Sequence, residues 1–133
     1  MRFLSIRVVN CTDVYNCYVT ELKYEDFYPQ SREDIVKALA SGVSEQIRNA
    51  LYSAAKYDSD WAWTQEQCLK FLNDEDRNVR WAAVLSLGFV AVYQRRLDLA
   101  KVLPRLHALK KDSLIAPVVE DSLEMIGQYI KSN

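Results

Sequence analysis

Residues 81–93 run for 13 positions without a charged side chain, between Arg80 and Gln94–Arg95. Wound as a helix, the segment places Val84, Leu85, Leu87, Phe89, Val90 and Val92 nearly all the way round, so it has no polar face. It is too short for a bilayer, which takes about 20 apolar residues at the helical rise. A soluble helix of this kind must be covered by neighbours on several sides. The rest of the chain therefore has to supply elements that pack around it, and that requirement organises everything else in the sequence.

The neighbours read as helices. Glycine and proline number three each in 133 residues, a supply of turn formers too small for a many-stranded sandwich. Ser31-Arg32-Glu33-Asp34 is a capping sequence, with Ser31 able to accept from an orphan N–H and two acids at the positive end of the dipole. Ile35, Val36, Ala38 and Leu39 follow, and the element stops near Ser41-Gly42. Val43, Ile47, Ala50, Leu51, Ala54 and Ala55 outline a second helix, ending before Tyr57-Asp58-Ser59-Asp60. Thr64-Gln65-Glu66-Gln67 matches a capping box, predicting a helix from Thr64 with Cys68, Leu69, Phe71 and Leu72 inward. Asn73-Asp74-Glu75-Asp76 makes the turn into the apolar helix. Asp98 can cap a fifth helix carrying Leu99, Val102, Leu103, Leu106 and Leu109, in which Pro104 predicts a kink or an early start. Lys110-Lys111-Asp112-Ser113 turns into a last helix from about Ala116, with Pro117 in its first turn.

The arrangement repeats. Ser31 aligns with Thr64 at a shift of 33, Ile47-Arg48 with Val79-Arg80 at 32, and Leu87-Gly88 with Ile126-Gly127 at 39. Helix–turn–helix units of this length, stacked about three times, bury faces that no single pair could bury. The expectation is one domain over residues 1–133: a segment at 1–30, then pairs at 31–57, 64–93 and 98–130. Within 1–30, residues 2–9 read as a strand or a helix start and 12–22 as a capping helix over the end of the stack.

Catalysis finds little to work with. The three cysteines, Cys11, Cys17 and Cys68, have no metal-like spacing, and His107 is the one imidazole. Cys68 falls on an inward face, where a thiol behaves as a small hydrophobe. The three glycines are isolated, so no phosphate loop exists. The paired acids sit at helix starts and turns, where capping accounts for them. These readings exclude an enzyme, a cofactor, a bound metal and a small-molecule substrate. Net charge is −1, and Arg77, Arg80, Arg95, Arg96, Lys101, Arg105, Lys110 and Lys111 are interleaved with acids, so nucleic acid is disfavoured as a ligand. The residues at 1–7 are followed by Asn10 and Asp13 rather than a signal core, and the chain reads as cytoplasmic.

The segment 57–63 stands out, because it brings Tyr57, Trp61 and Trp63 together with Asp58 and Asp60 in what reads as a connection between pairs. Exposed tryptophan beside carboxylates anchors a basic protein: the ring supplies buried area and the acids steer encounter. With Glu66, Asp74, Glu75 and Asp76 it makes an acidic and aromatic patch, the candidate partner-binding surface. The alternative is that Trp61 and Trp63 plug the gap between repeats. Arg48 and Arg80 recur at equivalent positions, placed to bond acids in neighbouring turns.

The run Val102-Leu103-Pro104-Arg105-Leu106-His107-Ala108-Leu109-Lys110-Lys111-Asp112 resembles the first helix of a HEAT repeat, and Asn73-Asp74-Glu75-Asp76-Arg77-Asn78-Val79-Arg80-Trp81-Ala82-Ala83 resembles its turn and second helix. Ile47-Arg48-Asn49-Ala50-Leu51 repeats that feature, whereas Val118-Val119 departs from Val-Arg as an end repeat would. The resemblance covers roughly 31–130 and implies an all-α, right-handed, short α-solenoid of about three HEAT-like pairs. Blocks such as Ser-Arg-Glu-Asp-Ile, Asp-Ser-Asp-Trp-Ala-Trp and Gln-Cys-Leu-Lys-Phe-Leu are similar to those of small bacterial proteins that look like immunity proteins. The implied partner is a cognate toxin domain, such as a basic nuclease of a contact-dependent growth inhibition system. The competing readings are a general scaffold or adaptor and a HEAT-like nucleic-acid binder.

Overall fold

A computed structural model describes residues 29–130. The expected N-terminal cap therefore lies outside the described residues, apart from its last two positions, as do Cys11 and Cys17. The described residues form six α-helices and no strand: α1 Arg32–Ala40, α2 Ser44–Tyr57, α3 Trp61–Phe71, α4 Arg77–Gln94, α5 Leu99–Leu109 and α6 Ala116–Tyr129.

Short connections reverse the chain after each helix. In the first, Gly42 takes φ +76°, a left-handed conformation that costs glycine nothing. The Ser41 hydroxyl closes the same turn, donating to the Ala38 carbonyl at 2.7 Å and accepting from the Val43 N–H at 3.1 Å. Contacts run α1 to α2, α2 to α3 and α5 to α6, and α2, α4 and α6 pack in a row with α3 also against α4.

The centre of that row is α4. Residues 82–91 are all buried, ten in succession, so the helix without a polar face is enclosed as its sequence requires. Leu51, Tyr52, Leu72, Leu106, Ile115, Val118 and Met125 close on it from other elements in one core. The α4–α6 approach is close because Gly88 has no side chain: a Cβ there would lie 2.6 Å from Met125 Cε and 3.1 Å from Ser122 Oγ. A smaller cluster, Ile35, Ala50 and Ala54, joins α1 to α2 under Trp63. Among the described residues no helix is long and apolar enough to cross a membrane.

Ser31 caps α1, accepting from the Asp34 N–H at 3.0 Å. The capping-box reading at Thr64 fails. The helix starts at Trp61 under Asp60, whose carboxylate accepts from the Trp63 N–H at 3.2 Å, and Asp58 in turn accepts from the Asp60 N–H at 2.8 Å. Thr64 is one turn inside and fully buried. Two successive aspartates win the cap because they bind orphan donors that Thr64, facing the core, has no freedom to reach. Ser31 therefore corresponds to Asp60, not to Thr64. Asp98 holds the N-cap position of α5 without a side-chain capping bond. Pro104 lies inside α5, leaving the Ala100 carbonyl without the donor one turn ahead.

Candidate functional site

The expected patch is divided by the fold. Asp58, Asp60, Trp61 and Trp63 stand where α3 begins, and Asp74, Glu75 and Asp76 follow where it has ended. The eleven residues of α3, Trp61 and Trp63 among them, run from one group to the other, roughly 16 Å at the helical rise. Glu66 lies midway along α3.

At the first group, Arg32 from the start of α1 reaches across. Its guanidinium meets the Asp58 carboxylate at 3.1 Å and the Asp60 carboxylate at 3.4 Å, and stacks over the Trp63 ring at 3.8 Å from the centroid. The Asp58 hydrogen bond leads in raising the Arg32 pKa above its ordinary value, so the charge is fixed. Trp63 is half-buried on the small α1–α2 cluster, and Trp61 packs on the main core. Both tryptophans thus lie in the first turn of α3 rather than in a connection, and both fill gaps between helices. Asp60 and the Arg32–Trp63 stack are what this corner presents to solvent.

The second group is committed to helix starts. The Asp74 carboxylate accepts from the Asp76 N–H at 2.9 Å, and Asp76 accepts from the Asn78 N–H at 2.8 Å. Desolvation pushes the Asp76 carboxyl up, but donation from the Asn78 and Val79 N–H groups and the charge of Arg48 outweigh it and hold it below the ordinary range. Arg80 donates to the carbonyls of Asp74 at 2.7 Å and Glu75 at 3.1 Å, and pairs with Asp112 at 3.6 Å. Both recurring arginines therefore address the turn of the next pair, Arg48 the one before α4 and Arg80 the one before α6. Glu75 is exposed.

Glu66 pairs with Lys101 at 3.1 Å across an open groove of about 450 Å³ between α3 and α5, which Leu69, Lys70, Asn73 and Arg105 also line. Arg105 donates to the Leu69 carbonyl at 3.0 Å. Beside it the Gln65 side chain, nearly fully buried, accepts from the Asp98 N–H at 2.7 Å. Sequence reasoning missed Gln65 and Arg32 as organisers. Their partners lie 33 and 26 positions away, and nothing local marks an amide or guanidinium that bonds across repeats.

Nothing in this arrangement activates a nucleophile. Burial pushes the Cys68 thiol far above its ordinary pKa, so it stays neutral, and His107 lies exposed on α5. Among the described residues no group of three or more His, Cys, Asp or Glu could hold a metal ion.

No protein-family model matches the chain, and neither does any curated protein. Among solved structures, a chain from the crystal structure of a CDI complex from Cupriavidus taiwanensis LMG 19424 is similar, with a TM-score of 0.72 and 28% identity. The match covers 80% of this chain and 96% of that one.

Proposed function

We propose that this chain is an immunity protein: a single-domain, non-enzymatic HEAT-like solenoid that binds and neutralises a cognate toxin domain of a contact-dependent growth inhibition system in the cytoplasm. The observation that carries the reading is the likeness to a chain of a CDI complex over nearly all of that chain's length. The solenoid part is supported by the row of α2, α4 and α6 and by Arg48 and Arg80, each of which addresses the following pair.

The proposed contact residues are Asp58, Asp60, Trp61 and Trp63 at one end of α3, Glu66 along it, and Asp74, Glu75 and Asp76 at the other. Asp60, Glu66 and Glu75 are the exposed acids among them and would steer a basic toxin such as a nuclease. Since α3 is only roughly 16 Å long, a partner interface of ordinary size, about 800 Å² on each side, is wide enough to reach from one end to the other.

The test is to co-purify this protein with the toxin domain encoded beside it in the native host, and to measure toxin activity as the protein is added. The expected result is a one-to-one complex and complete inhibition at equimolar ratio. Full toxin activity in the presence of excess protein would rule the reading out.

A further inference from the structure

α3 and α5 run side by side in the same direction, tied in register along their length. The Gln65 side chain takes the Asp98 N–H at 2.7 Å, Glu66 pairs with Lys101 at 3.1 Å, and the Leu69 carbonyl accepts from Arg105 at 3.0 Å. Each tie is a side-chain bridge, and between the helices stays the open groove of about 450 Å³, a volume typical of binding clefts. Glu66, Leu69, Lys70 and Asn73 form its α3 wall at helical spacing on one face, and Lys101 and Arg105, one turn apart, form its α5 wall.

The chemistry of the walls is one-sided. Lys70, Asn73, Lys101 and Arg105 all bring donors, and three of them are cations. Glu66 brings the one carboxylate in the lining, and Lys101 already holds it. Arg105 gives one of its several N–H donors to the Leu69 carbonyl, a bond that fixes its planar fork beside the groove. Lys70 and Asn73 are exposed, and neither side chain has a bonding partner among the described residues. The seam between α1 and α3 has the opposite balance: Arg32 is shared by Asp58 and Asp60 and stacked on Trp63. One seam between repeats is thus filled by its own groups, and the next stands open with donors to spare.

We infer that the α3–α5 groove receives a carboxylate-bearing segment of the protein partner, an aspartate or glutamate that pairs with Arg105 and Lys70. The inference rests on the partner being the toxin domain proposed above. Charge complementarity selects the occupant, since a carboxylate matches the fork of a guanidinium and is held more strongly than a neutral acceptor. A nucleic-acid backbone fits worse. Its run of phosphates along α3 would meet Glu66 inside the groove and the exposed Asp60 and Glu75 toward the two ends of the helix. The toxin surface is then mixed in sign, with basic groups opposite Asp60 and Glu75 and an acid between them. Alternating sign along one helix fixes the register in which the two proteins meet.

Calorimetric titration with the catalytically inactivated toxin domain tests the groove, because the sign of the effect is diagnostic. If acids alone steer the partner, Lys70→Glu adds to the negative field and tightens binding. With a carboxylate in the groove, the same variant weakens binding about tenfold or more. Arg105→Lys keeps the charge but loses the fork, and should weaken binding about fivefold. Both variants should melt within about 5 °C of wild type. Lys37→Glu, the same charge change on α1, should bind within about threefold of wild type. Tight binding by wild type with either groove variant as tight or tighter overturns the inference and leaves the immunity reading standing. So does a loss at Lys37→Glu equal to that at Lys70→Glu. Absence of binding by wild type overturns both. Fluorescence anisotropy with a labelled DNA duplex of about 20 base pairs at low salt should show no binding. Binding that Lys70→Glu abolishes would give the groove to phosphate and overturn the inference.

Discussion

Where α2, α4 and α6 begin, the chain is held by caps and ion pairs; where they stop, cations lie over tyrosine rings. At the first end Arg80 spends its donors on the carbonyls of Asp74 and Glu75 and its charge on Asp112. Asp74 and Asp76 bind backbone N–H groups, and the Asn78 N–H bond, with a smaller contribution from the Arg48 charge, holds the Asp76 carboxyl below its ordinary range. At the second end the ion pairs lie outside, the rings of Tyr57, Tyr93 and Tyr129 line the rim, and Arg95 holds a strained backbone. The difference teaches that equivalent helix termini in a repeat need not share a purpose. One set of ends is held by ion pairs and caps, the other by the Gln94 amide and by cations stacked on rings.

The harshest way to break this comparison is to spoil the wall both ends share. Gly88→Val places a branched side chain where even one Cβ meets Met125 Cε at 2.6 Å and Ser122 Oγ at 3.1 Å, so the Met125 side chain or α6 itself has to give way. Urea unfolding should show a loss of about 2–3 kcal/mol. A loss under 0.5 kcal/mol would mean that Met125 simply swings aside and the α4–α6 wall is loose.

Arg80→Ala is next. It leaves two carbonyls and a half-buried carboxylate without their donor, and should cost about 2 kcal/mol in the same measurement. Affinity for the proposed toxin domain should stay within about twofold, because Arg80 itself is not among the proposed contact residues. A large affinity loss with unchanged stability would place Arg80 in the contact.

Asp76→Ala removes a helix cap and should cost about 1 kcal/mol. The sign of its pH dependence is definite. The folded carboxyl titrates below its unfolded value, so its contribution is present above the ordinary aspartate range and is lost as pH falls through the folded pKa. Thermal melts of wild type should therefore lose stability on acidification below about pH 4, and Asp76→Ala should flatten that decline. Equal slopes for the two proteins would remove Asp76 from the account. The smallest effect is expected at Glu66→Gln, whose partner Lys101 is exposed: under about 0.5 kcal/mol, vanishing in high salt.

The helices were legible in the sequence because burial and caps agreed: Ser31 caps as read, Gly42 takes the left-handed turn, and the segment at 81–93 is enclosed. The start of α3 was misread because Thr64-Gln65-Glu66-Gln67 satisfies the capping pattern formally. Asp58 and Asp60, six and four positions earlier, take the donors first, and two tryptophans in the first turn disguise a helix as a loop. The acidic patch was legible as composition but not as geometry, since Asp58 and Asp60 stand at one end of α3 and Asp74, Glu75 and Asp76 at the other. Gly88 and Gly127 align by repeat yet differ in surroundings, one against Met125 and the other open, which only the packing of α6 decides. Partners such as Gln65 with Asp98 carry no local signature at all.

The enclosure of α4 on every side has a further consequence for how such a protein can change allegiance. A helix with ten successive buried residues offers no position at which a substitution could be felt by a partner without first being felt by the core. Variation that retargets recognition is thus confined to the helix ends and the outer helices. On the proposed function, the middle of the molecule can remain fixed while its rim is rewritten for a different toxin domain.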